Sequence, residues 1–223
     1  MITQVKKWVT DHPVWFAILF FIFYFTGFFT LEHLVTEPVY LLHCGLDDLI
    51  PFNEWFIFPY ASWFGLIPWA LITLLLFDRK NYFYLCGVMF SGMALCLLLY
   101  LIFPNGVDLR PQSIESSNLA ATFVRMIWMT DTSTNVCPSI HVASTFAIFL
   151  AVQRSRIWKH RKLVVGICGV LTVMICLSTL FLKQHSVIDV VCGIALSTAL
   201  HFVFRRTGER EQAVLCRLGE NEG

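Results

Sequence analysis

Charge is scarce in this chain. Asp, Glu, Lys and Arg make up 14% of its 223 residues, while 57% are hydrophobic. A water-soluble globule usually carries about a quarter charged residues, so most of this chain is not built to face water. The mean hydropathy of +0.68 agrees. Low-complexity segments, internal repeats and long linkers are also missing, which leaves a single integral membrane domain over 1–223 as the expected organisation. No CxxC pair occurs among the eight cysteines, and Cys86, Cys96, Cys168, Cys176 and Cys192 lie inside apolar stretches. They read as small apolar helix residues rather than metal ligands. Cys44 and Cys137 fall in loops on one side, where they could pair, but free thiols are the favoured reading. No small-x-small cleavage site follows the apolar run 14–31, and that run is longer than a signal-peptide core, so a retained first helix is expected.

What the chain has in quantity is apolar length and rings: 21 Phe, seven Trp and six Tyr, a composition suited to lipid-crossing helices with aromatic interfaces. A span needs about 20 largely apolar residues. Six stretches meet or approach this, at 14–34, 55–77, 82–103, 138–153, 163–182 and 187–204. The fourth and sixth are short, as they would be if their outer ends carried polar site residues. The expected fold class is therefore all-α, a six-transmembrane-helix bundle.

Cations set its orientation. Lys6, Lys7, Arg79, Lys80, Arg154, Arg156, Lys159, Arg161, Lys162, Arg205, Arg206, Arg210 and Arg217 all fall on one side, which predicts cytoplasmic N- and C-termini. Glu32, Glu37, Asp47, Asp48 and Glu54 crowd the first outer loop without a basic partner, and only Arg110, Arg125 and Lys183 remain outside. The basic loops are accounted for by topology, so no nucleic-acid partner is expected. A cation kept outside against the trend asks for a reason. Arg110 lies in LRPQS and Lys183 in LKQHS, while Arg125 lies in a predicted short helix over 118–130.

Two outer helix ends carry the chemistry. In NVCPSIHVAS (135–144), Pro138 fits a first helical turn. Ser139 and the free N–H groups of that turn form a potential anion site, with His141 one or two residues deeper. In LKQHSVIDVV (182–191), His185 and Asp189 are four apart and share a helix face. A carboxylate on one ring nitrogen fixes the tautomer and raises the basicity of the other. An ionisable Asp189 at the start of an apolar span is also functional by default. His33 and His43 read as solvated loop side chains, and His12, His160 and His201 as interfacial ones. No third ligand stands at a telling spacing from His141 and His185, so no metal and no cofactor is expected.

These residues resemble the type 2 phosphatidic acid phosphatase superfamily, particularly the branch of lipid phosphate phosphatases and inositol phosphorylceramide synthases. The family pattern is K-x(6)-R-P, then P-S-G-H, then S-R-x(5)-H-x(3)-D. Arg110-Pro111 matches the end of the first motif, Pro138-Ser139-Ile140-His141 the second, and Ser178, His185 and Asp189 the third. The chain departs from the pattern at Phe103, Ile140 and Thr179, so two family cations are missing.

The resemblance implies a metal-free two-step reaction. His185, oriented by Asp189, becomes a phosphohistidine, and His141 protonates the leaving oxygen and then activates water or an alcohol. Arg110, Ser139 and Lys183 would hold the phosphate, with Arg125, Asp131, Asn135 and Ser178 lining the site. The expected activity is hydrolysis of a membrane lipid phosphate at the extracytoplasmic face, in a bacterial plasma membrane. Transfer of a phosphodiester headgroup is the enzymatic alternative, and a non-catalytic membrane scaffold is the remote one.

Overall fold

A computed structural model describes residues 2–220, with side chains described from 4 to 206. Arg210 and Arg217, counted above with the inner cations, lie outside the described side chains. The described chain is helical: α1 (Ile2–Asp11), α2 (Pro13–Leu34), α3 (Gly45–Leu49), α4 (Ile57–Phe77), α5 (Arg79–Ile102), α6 (Leu119–Thr130), α7 (Ile140–Arg154), α8 (Arg161–Phe181) and α9 (Val187–Glu220). Its one small sheet pairs β1 (Tyr40–Leu41) in parallel with β2 (Asn105–Gly106).

Local signals explain where the helices start. Pro13 opens α2, where a missing N–H costs nothing. The Asp78 carboxylate accepts from Asn81 N–H and caps α5. Asn118 caps α6 by accepting from Ala121 N–H, which starts the predicted short outer helix one residue later than expected. Ser139 caps α7.

Five helices are long and apolar enough to cross a membrane: Pro13–Leu34, Glu54–Phe77 (including a short 3₁₀ turn before α4), Arg79–Ile102, Arg161–Phe181 and Val187–Arg206. The fourth expected span is α7, and it has only 15 residues. At 1.5 Å per residue it is about 22 Å long, short of a hydrocarbon core of about 30 Å. Its N-terminal end is set where Ser139 starts the helix.

Burial separates the centre of the bundle from its rim. In its most apolar window, α5 is 56% buried and α2 only 11%, so α5 is the packed core and α2 the peripheral helix. The main cluster threads α5 side chains such as Leu85, Val88, Met89 and Cys96 against Ala147, Ile148 and Ala151 of α7. Small residues on α7 allow that close approach. At one end of the bundle Asp78, Lys80, Arg154 and Arg156 line a shared cleft. The other end carries the loops between α2 and α4, between α5 and α7, and between α8 and α9. There Glu54 gathers Ser116 and Asn118 at 2.7 and 3.0 Å. Those loops position the site.

Candidate active site

The His185 segment is built by the end of α8. The backbone turns through Lys183 in the left-handed region (φ 55°). Beyond it the N–H groups of Gln184 and His185 donate back to Thr179 O at 3.0 and 3.2 Å. This closes the helix and delivers His185 just before α9 begins. His185 is buried, and its Nδ1 lies 3.3 Å from Asp189 Oδ2, which also accepts from Ser186 N–H at 2.8 Å. A carboxylate beside Nδ1 keeps the proton there and leaves the Nε2 lone pair free.

Sequence reasoning missed the residue that anchors this segment from outside, Asp47. It is buried, and its carboxylate accepts from Ser186 Oγ at 2.7 Å, Val187 N–H at 2.8 Å and Cys44 N–H at 2.8 Å. Asp47 thus caps α9 from another part of the chain, a role with no local motif to announce it. Burial pushes its carboxyl up, but the bonds from Ser186, Val187 and Cys44 outweigh this and hold it below the usual range. Lys183 Nζ donates to the Asp47 carbonyl at 2.7 Å.

The His141 segment is held differently. The buried Asn105 Oδ1 accepts from the N–H groups of Val136 and Cys137 at 3.0 and 2.7 Å, and Tyr100 Oη donates to Pro138 O at 2.6 Å. The Cys137–Pro138 peptide is cis. His141 sits between the rings of Tyr60 and Trp63, at centroid distances of 4.7 and 4.5 Å. Trp63 is itself fixed by Nε1–H donating to Ser144 Oγ at 2.8 Å.

The two segments touch directly, since Ser139 N–H donates to Asp189 O at 3.1 Å. Gly193 makes this approach possible, because a Cβ there would lie 2.9 Å from Ser139 O. The His141 and His185 rings consequently meet edge to face at 5.7 Å.

Both rings line a cavity of about 190 Å³ that also includes Asp131, Asn135, Gln184 and a wall of rings from α2 and α4. Among the sequence-predicted site residues, the structure gathers His141, His185, Asp131 and Asn135 on this cavity, with Asp189 behind His185. Arg110 stands one side chain back. It donates to Gln184 Oε1, to Asp131 O at 2.7 Å and to Thr132 O at 3.0 Å.

The remaining predicted residues stand off the cavity. Lys183 is turned to Asp47. Arg125 donates to the carbonyls of Ile114 and Ser116, closing the loop before α6. Ser178 Oγ bonds within α8 to Ile175 O at 2.7 Å. Ser139 is fully buried, and its Oγ accepts from Val142 N–H at 3.4 Å as the cap of α7. At the two positions where the family pattern carries a cation, Phe103 stacks on Tyr40 and Thr179 Oγ1 bonds to Cys176 O. Cys44 and Cys137 are both free thiols.

The electrostatics follow from depth. Burial pushes the Asp131 carboxyl above its usual value, with Glu32 adding to the rise and His185, Tyr60 and Arg110 opposing it. Burial also pulls Arg110 below its ordinary value, against the attraction of Asp131. Among the described residues, no three His, Cys, Asp or Glu side chains converge as a metal site would require.

A carboxylate-backed histidine beside a second histidine on one cavity is an arrangement suited to nucleophilic attack and proton transfer at one atom. A search of the curated proteins finds no match to the chain. The pattern of the PAP2 superfamily, in contrast, matches residues 81–212, more than half of the sequence and the part that holds both histidine segments. The chain therefore belongs to the PAP2 superfamily.

Proposed function

We propose that this protein cleaves a phosphate ester of a membrane lipid through a phosphohistidine on His185, and that water completes the reaction. The observation that carries the reading is the pairing of His185, backed by Asp189, with His141 on one cavity. His185 Nε2 attacks phosphorus, the P–O bond to the lipid alcohol breaks, and His141 gives its proton to the leaving oxygen. His141 then takes a proton from the attacking water as the N–P bond breaks. Asp189 stabilises the charged ring in both steps, and Arg110 adds positive charge behind Gln184. No step needs a metal ion.

Headgroup transfer to a lipid alcohol is the second reading. It is favoured by the rings of α2, the peripheral helix, on the cavity wall, which would suit an acceptor arriving from lipid. In both readings the chain crosses the membrane six times, with α7 completing its crossing through the loop before it. The histidines then lie at the extracytoplasmic face, on the side away from most cations.

The test is a screen of the purified protein in detergent against phosphatidic acid, prenyl diphosphate and a phosphodiester lipid, each with and without a lipid alcohol. Vanadate should inhibit and exhaustive chelation should not. Loss of turnover on chelation, restored by Zn²⁺ or Mg²⁺, would sink the metal-free mechanism. For the face, a cysteine at the exposed Ser117 should react with an impermeant reagent on intact cells and one at Lys159 should not. The reverse pattern would invert the orientation.

A further inference from the structure

A cavity that handles phosphate normally presents cations, and this one does not. Among its described lining residues there is no Lys or Arg, and the one Asp or Glu side chain is Asp131. The outer cations have other partners: Lys183 the Asp47 carbonyl, Arg125 two loop carbonyls, and Arg110 the carbonyls of Asp131 and Thr132 with Gln184 Oε1. A phosphomonoester near −2 beside ionised Asp131 would leave net negative charge even against Arg110 and a proton on His141, and low polarity would sharpen the repulsion.

The rest of the wall explains what Asp131 could receive. Its Oδ2 accepts from Tyr60 Oη at 2.9 Å, and Tyr24, Tyr60, Trp63 and Tyr100 line the same space. Aromatic faces beside a carboxylate attract a cation, and such cages take ammonium groups. Two buried amides add polar atoms with nothing to bond. Asn135 is 5% exposed and Gln184 2%, and both line the cavity. Asn135 Oδ1 and Gln184 Nε2 are buried without a partner. Such vacancies are costly unless a ligand fills them. One is an acceptor whose partial negative charge suits an ammonium group; the other is a donor and suits a phosphate oxygen.

We propose that the cavity recognises a phosphodiester lipid whose headgroup is an amino alcohol. Its ammonium lies against Asp131 and the Tyr60 and Trp63 rings, and its phosphate lies between His141 and His185. The proposal rests on His185 being the phosphorylated residue and adds the headgroup. Charge then balances locally: ammonium against Asp131, and the single negative phosphate against Arg110 and the proton on His141. In the first step the P–O bond to the lipid alcohol breaks and the N–P bond to His185 Nε2 forms, with the His141 proton passing to the alcohol oxygen. The amino-alcohol phosphoryl group stays on His185 until a hydroxyl compound displaces it, giving its proton to His141.

The experiment compares four lipids of one acyl composition on the full chain in detergent. Two carry choline or ethanolamine, one carries the uncharged 3,3-dimethylbutyl isostere of choline, and one is phosphatidic acid. Expected is a kcat/KM at least about tenfold higher for an ammonium headgroup than for the isostere. That ratio should collapse toward one in Asp131→Asn and largely survive in Asp131→Glu. A wild-type ratio near one, or phosphatidic acid turned over faster than every diester, would overturn the proposal. Acid-labile phosphoenzyme separates the two claims. If it forms equally from choline and isostere lipids, the headgroup assignment falls and His185 stands. If none forms from any of the four, the reading of His185 falls with it.

Discussion

The two histidines are held by opposite means. His185 is fixed by hydrogen bonds, through Asp189 on its ring and through the Asp47 network on the backbone beside it. His141 is fixed by packing between two rings, one of which is tied to its own helix through Ser144. The difference suits the two duties proposed for these residues. A nucleophile must keep one tautomer and one direction while it forms a bond, which a carboxylate secures. A residue that gives a proton and later takes one must change state at one nitrogen without moving, and ring contacts tolerate both states.

The strongest way to break this contrast is to remove each ring. His185→Ala should abolish both turnover and the acid-labile phosphoenzyme. His141→Ala should slow a lipid substrate by roughly 10²–10⁴ and a nitrophenyl ester much less, because a good leaving group needs no proton. Trapping the phosphoenzyme in each variant tests this. Phosphoenzyme in His185→Ala, or equal losses for both leaving groups in His141→Ala, would exchange or cancel the two roles.

A second test separates the cations. Arg110 donates to Gln184 on the cavity wall and Lys183 donates to the Asp47 carbonyl of the anchoring loop, although both looked like phosphate ligands in the sequence. Arg110→Ala should cost on the order of 10² in kcat/KM, as loss of a charge-stabilising group does. Lys183→Met should change kcat/KM by less than about threefold and lower the melting temperature by a few degrees, the scale of one lost hydrogen bond. A Lys183→Met variant that melts normally but loses turnover would return that lysine to the phosphate.

The bundle and its two histidine segments were legible because both rest on local pattern. Apolar length marks the spans, and Pro-Ser-x-His and His-x-x-x-Asp sit at the starts of α7 and α9, where residues close in sequence are close in space. Even the shortness of α7 showed. What the sequence hid depends on contacts across long separations. Asp47 binds Ser186 and Val187 about 140 positions away, and Tyr60 reaches Asp131 across 71. Asn105 follows the third apolar stretch with no motif around it, yet it is buried and holds the Val136–Cys137 backbone. Lys183 was misleading for a related reason. Its nearness in sequence to His185 suggested a shared target, but the left-handed turn at Lys183 itself sends the two side chains apart.

The finest test of the contrast concerns pH and Asp47, the residue behind the hydrogen-bonded side. Its carboxyl is pushed up by burial but drawn further down by the bonds from Ser186, Val187 and Cys44, so its folded value lies below the usual one. A group with a depressed folded pKa stabilises fully above its unfolded value, about 3.9 for Asp, and loses that contribution as pH falls through the folded value. Asp47→Asn cannot ionise and should melt lower than the parent at pH 7. The gap should be unchanged at pH 5 and should narrow below about pH 4, as the parent's carboxylate takes up its proton. Melting curves of both proteins in one detergent, at pH 7, 5 and 3.5, measure it. A gap that stays constant to pH 3.5 would mean that Asp47 acts through shape rather than charge. One that widens in acid would show that its carboxyl is raised, and that the bonds to Ser186 and Val187 do not outweigh its burial.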